Sequence, residues 1–97
     1  MRVDKSVYEF EWDKGNTGKN QKHKVNDQEA EEVFLDENKK IFKDKLHSGG
    51  EERFRVVGKT KKGRLLFVAF TMRKGKIRII SARNINKKEV YLYEETT

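Results

Sequence analysis

The sequence predicts a small α+β protein in which helices pack on one antiparallel sheet. Three observations predict it. From residue 53 to residue 83, strand-like stretches follow one another across short turns at Lys61-Lys62-Gly63 and Lys74-Gly75. One of these stretches, Arg64 to Arg73, is apolar on both parities, as a central strand covered on both faces must be. Elsewhere, two stretches open on an asparagine with a glutamate three residues on, the signature of a capped helix. The resulting order is β-α-α-β-β-β-β-α, in one domain spanning residues 1–97.

Each element has its own warrant. Val7 to Trp12 alternates, placing Tyr8, Phe10 and Trp12 on one face of a first strand. The polar segment Asp13 to Lys24 contains a short helix from about Thr17 to His23, weakly supported by propensity. Asn26 caps the next helix, 27–36, with Glu29 completing the capping box. Ala30, Val33 and Phe34 form its apolar stripe, and Asp27, Glu29, Glu31 and Glu32 put negative charge where the helix dipole favours it. Lys39 to Lys43 is a weak strand around Ile41 and Phe42, and Asp44 to Glu52 is a loop turning at Ser48-Gly49-Gly50. Arg53 to Lys59 is a strand with Phe54 and Val56 inward and Arg53 and Arg55 outward. In the strand Lys76 to Arg83, the alternation puts Ile77 and Ile79 on the core face, and Arg83 shares their parity. Asn86 caps a last helix, 87–95, with Glu89 at its third position and Val90 and Tyr93 on one face.

Composition narrows the function. The chain has 97 residues and a net charge of +7, with 40% of residues charged. About a quarter of it is Val, Ile, Leu or Phe, above the roughly 20% typical of disorder, so it folds around a thin core. Residues 53–88 hold thirteen Lys or Arg and no Asp or Glu. A basic block laid over strands favours a polyanion, and nucleic acid first. The absence of cysteine excludes a disulfide framework, a zinc–thiolate site and a thiol nucleophile. Two histidines are too few for a histidine metal cluster, and no cofactor is expected. No apolar run follows the N-terminus as in a signal peptide, and the longest apolar stretch, Leu65 to Phe70, is too short to span a membrane. A cytoplasmic protein is the expected reading.

A series of short motifs then carries a family resemblance. They are Phe10-Glu11-Trp12-Asp13, Asn20-x-Lys22-His23, Glu29-Ala30-x-x-Val33-Phe34, Asp44-x-x-His47-Ser48, Glu51-Glu52-Arg53-Phe54, Val57-Gly58, Gly63-Arg64-Leu65-Leu66, Phe70-Thr71, Arg78-Ile79-Ile80-Ser81-Ala82-Arg83 and Glu89-x-x-x-Tyr93. In this order and spacing, over about residues 9 to 95, the chain resembles the BrnT ribonuclease toxins of bacterial type II toxin–antitoxin modules. It departs at Lys24, where the family usually has Gly, in the polar segment before it, and at Asn84-Ile85-Asn86. The resemblance implies a RelE-like fold and metal-independent RNA cleavage. It also implies a BrnA-type antitoxin that neutralises the toxin and carries the DNA contact of the complex.

Cutting RNA without a metal needs a base for the 2′-hydroxyl, cations for the charge building on phosphorus, and an acid for the leaving 5′-oxygen. Arg83, at a strand end, is the leading candidate for the phosphate, its alternative being a salt bridge to a C-terminal glutamate; Arg64 and Arg53 would clamp alongside it or be solvated strand ends. His23, in the cationic company of Lys19, Lys22 and Lys24, suits the role of base. His47, in a loop with Asp44 and Glu51, is a second acid–base candidate, and Tyr93 a third, by stacking or proton donation. Lys19, Lys22, Arg53 and Arg55 are the expected RNA-binding cations. Glu89 is explained as a helix cap. The same charge block equally serves a non-enzymatic module, a degenerate toxin that docks nucleic acid or an acidic protein.

Overall fold

A computed structural model of the chain describes residues 8–45 and 50–94. It is α+β: a four-stranded antiparallel sheet with two helices. The strands are β1 (Lys40–Lys43), β2 (Phe54–Lys59), β3 (Leu65–Arg73) and β4 (Lys76–Asn84), in spatial order β1-β2-β3-β4. The β3–β4 connection is Lys74-Gly75, both at positive φ (51° and 80°). A two-residue turn with both residues left-handed matches the twist of the strands it joins.

The sheet is two-sided. Val56, Leu66, Val68, Phe70, Ile77, Ile79 and Ala82 face the main core, together with Val25, Ala30, Val33 and Phe34 from the segment before β1. That segment holds the 3₁₀ turn Lys19–His23, then helix α1 (Asp27–Glu32), which tightens into a 3₁₀ turn at Val33–Leu35. Asn26 and Glu29 form the reciprocal capping box that the sequence spells out. The 3₁₀ turn Val33–Leu35 sits very close to the sheet: a Cβ on Gly58 would lie 2.8 Å from Val33 Cγ1 and 3.0 Å from the Val33 carbonyl oxygen. The opposite sheet face carries Arg55, Phe67 and Arg83 and is partly covered by the C-terminal 3₁₀ turn Lys87–Glu89 and helix α2 (Val90–Glu94).

Two expectations are corrected. The first strand contracts to one parallel bridge, Phe10 to Ile77, held by Glu11 N–H to the Ile77 carbonyl and Ile77 N–H to the Glu9 carbonyl, both 2.8 Å. Beyond that bridge two buried asparagines satisfy the outer edge of β4: Asn16 donates to the Ile79 carbonyl (3.1 Å), and Asn20 accepts from Ala82 N–H (2.9 Å). Side chains thus stand in for a strand on an edge that would otherwise present unpaired backbone.

The second correction concerns parity. Ala69 faces Ser81, but Phe70 faces Ile79, so Ile80 is an extra residue on β4. This bulge switches the alternation, as a single inserted residue must. Ile77, Ile79 and Ala82 lie on the core face, and Arg83, paired with Phe67, lies on the other.

Candidate functional site

The C-terminal end of β4 meets the 3₁₀ turn Lys19–His23 in a hollow of about 320 Å³, lined by Lys22, His23, Lys24, Arg83, Asn84 and Asn86. Two distant stretches of chain build it. The turn is bounded by left-handed residues, Gly18 (φ 68°) before it and Lys24 (φ 58°) after it. Asn20, buried beneath it, ties the turn to Ala82, one residue from Arg83. The N–H of Gly18 is further held by the Asp27 carboxylate at 3.1 Å.

Arg64 fixes the other side of the turn. Its Nη1 donates to the Lys24 carbonyl (2.6 Å) and to Glu29, its Nη2 to the His23 carbonyl (3.3 Å), and its Nε to Asn84 Oδ1 (2.7 Å). Bonds to the carbonyls at the C-terminal end of a helical turn satisfy groups that the turn itself leaves open. This guanidinium is therefore occupied in holding the wall of the hollow. The expected clamp of Arg53, Arg64 and Arg83 does not form, because Arg53 precedes β2 at the opposite end of the sheet, where Phe54 pairs with Phe70.

Arg83 lies over the Phe67 ring, its guanidinium carbon 4.5 Å from the centroid. Its Nη1 and Nη2 donate to the two oxygens of Glu89 at 2.9 and 2.8 Å, and Nη1 also donates to the Asn84 carbonyl at 3.2 Å. Glu89 keeps its capping role as well, accepting from Asn86 N–H at 3.0 Å. The Arg83 hydrogen bonds hold the Glu89 carboxyl below its ordinary value of 4.5, and the same contact raises Arg83. Arg55 lies over the same ring at 4.9 Å and donates its Nε to Asp44 at 2.8 Å.

The remaining candidates fall elsewhere. Tyr93, toward the far end of α2, donates its hydroxyl to Asp36 at 2.8 Å, with Lys59 Nζ over its ring. Burial, then the Asp36 contact, pushes the phenol up to about 12. Tyr93 thus latches α2 to the chain before β1 and does not line the hollow. Lys19 is exposed at the start of its turn. His47 lies outside the described residues. Among the described residues, no three His, Cys, Asp or Glu side chains are grouped to hold a metal ion, and no helix is long and apolar enough to cross a membrane.

The sequence did not single out Lys24, Asn84 or Asn86 as lining the site. The alternative it left for Arg83, a salt bridge to a C-terminal glutamate, is present as the pair with Glu89, which a capping box brings back toward Asn86, two residues beyond the end of β4. No curated protein matches the chain. A family model, described as the ribonuclease toxin BrnT of type II toxin–antitoxin systems, matches residues 12–89 and so takes in both walls of the hollow. The chain therefore belongs to the BrnT family of ribonuclease toxins.

Proposed function

We propose that the chain is a metal-independent endoribonuclease toxin of RelE-like architecture, one domain throughout, whose RNA site is the hollow between the Lys19–His23 turn and the end of β4. The observation that carries this reading is the meeting of Lys22, His23, Lys24 and Arg83 around one cavity. A phosphodiester entering it meets three cations and an imidazole, which together supply charge stabilisation and proton transfer without a metal. Arg83 takes the phosphate that becomes the phosphorane, and Lys22 and Lys24 hold the flanking backbone. Arg64 is a positioning residue in this reading, and Arg55 extends the cationic surface beyond Arg83.

Toxin–antitoxin membership implies RNA as substrate and an antitoxin as partner. We assign the antitoxin to the BrnA type, with DNA reached only through it. Purified protein and end-labelled RNA test the reading. Cleavage is expected to persist in EDTA, to leave 2′,3′-cyclic or 3′-phosphate ends, and to fall about 10²–10³-fold in Arg83→Ala. Cleavage that stops in EDTA, or that keeps its full rate in Arg83→Ala, contradicts it. A non-enzymatic basic module would instead leave growth unaffected when expressed without a partner.

A further inference from the structure

The Arg83–Glu89 pair carries an inference that rests on the ribonuclease reading and assigns its missing base. A guanidinium has five N–H donors on a rigid plane. Glu89 takes one from each terminal nitrogen, and the Asn84 carbonyl takes a further bond from Nη1. No hydrogen bond from Nε is present among the described residues, and Nη2 has no acceptor besides Glu89. Nε–H and the outer Nη2–H form one side of the plane, with the spacing that two phosphate oxygens match. Arg83 can therefore hold a phosphate on one side while its end still holds the Glu89 carboxylate. One rigid cation then sets carboxylate and phosphate next to each other, and stacking on Phe67 fixes the orientation of the plane.

We propose that Glu89 is the general base of RNA cleavage and that His23, expected from the sequence to be the base, is instead the general acid. Glu89 removes the proton from the 2′-hydroxyl. The 2′-oxygen bonds to phosphorus, the bond from phosphorus to the 5′-oxygen breaks, and His23 gives that oxygen its proton. The products are a 2′,3′-cyclic phosphate and a free 5′-hydroxyl, with no oxidant, reductant or other reactant consumed. Two observations besides the ion pair support the assignment. Glu89 is partly exposed (22% of its side chain), and it is hydrogen-bonded to two residues of the hollow, Arg83 and Asn86. The lowered Glu89 carboxyl is in its base form at neutral pH, and a phosphate sharing the Arg83 charge makes it more basic at the moment of reaction.

The test compares Glu89→Gln, His23→Ala and, as a distant control, Glu51→Gln, which removes a carboxylate paired with Arg73. Gln keeps one acceptor, which serves Arg83 Nη1 and Asn86 N–H as Glu89 Oε1 does, and gives up the bond from Nη2; melting temperature and RNA affinity, measured alongside, separate a folding or binding loss from a catalytic one. The expected result for E89Q is a loss of about 10²–10⁴-fold in kcat with KM little changed. The acidic limb of its pH–rate profile should also disappear. The roles are then separated with an oligoribonucleotide carrying sulfur in place of the 5′-oxygen at the mapped cleavage position, since a thiolate leaves without protonation. His23→Ala should recover on this substrate, E89Q should not, and Glu51→Gln should match wild type throughout. E89Q retaining both its rate and its acidic limb, or recovering on the sulfur substrate as His23→Ala does, overturns the assignment and leaves the Arg83 site standing. Wild-type protein inert toward RNA overturns the ribonuclease reading itself, and this inference with it.

Discussion

At the scale of the residue, Arg83 shows how one inserted amino acid redirects a site. Counting by twos from Ile77 puts Arg83 in the core, and the Ile80 bulge puts it over Phe67 beside Glu89. Composition and alternation do not announce a bulge, because each residue of Arg78-Ile79-Ile80-Ser81 is individually acceptable in a regular strand. The capping boxes at Asn26 and Asn86, by contrast, were legible because both partners are close in sequence. The bonds by which Asn16 and Asn20 cover β4 were illegible for the opposite reason: they reach backbone groups more than sixty positions away. Replacing Asn20 with Ala should leave the Ala82 N–H buried without a partner and destabilise the protein by about 1–3 kcal/mol, read by thermal or urea unfolding.

The pH dependence of stability also belongs to single residues. Glu89 is lowered chiefly by Arg83, and Asp36 by the N–H groups of Lys59 and Asn38 and by Tyr93, against the burial that raises it. A carboxyl depressed in the folded state contributes its full stabilisation above its unfolded value and loses it as pH falls through the folded one. Stability should therefore decline from about pH 5 toward pH 3, with a shallower decline in E89Q and in Asp36→Asn, measured by melting temperature against pH.

At the scale of the element, helices, strands and turns were largely legible, and their lengths were not. The polar segment after Trp12 shrinks to one 3₁₀ turn because a few polar residues cannot nucleate a longer helix alone. What holds it in place is tertiary: Asn20 below and Arg64 at its end. Arg64→Lys should not restore what Arg64→Ala removes, since one ammonium cannot reach Asn84, Glu29 and two carbonyls together. Both variants should lower RNA cleavage and stability in parallel, whereas Arg83→Ala should affect cleavage far more than stability. The close approach of the Val33–Leu35 turn to β2 gives a separate prediction. Gly58→Ala forces Val33 backbone and side chain outward and should destabilise by about 1–3 kcal/mol, with no direct effect on the hollow.

At the scale of the whole molecule, a net charge of +7 favours polyanions, and in the proposed function the hollow is where they dock. Each cation that meets a single-stranded phosphate releases counterions, at about 0.7 logarithmic units of salt dependence per contact. Lys22→Gln should therefore reduce the slope of log affinity against log salt by about 0.7, read by fluorescence anisotropy with labelled RNA. Binding of an antitoxin to the same basic surface should weaken with salt in the same way.

In the proposed mechanism the scissile phosphodiester sits between the Lys19–His23 turn and Arg83. NMR titration of isotope-labelled protein with RNA made uncleavable by a 2′-O-methyl group tests it most directly. Shifts are expected at the backbone of Lys22, His23, Lys24 and Asn84 and at the Arg83 Nε–H, as that side of the guanidinium takes up phosphate. Shifts confined to the lysines of the Lys61-Lys62-Gly63 and Lys74-Gly75 turns, with the Arg83 Nε–H unmoved at saturation, would contradict it.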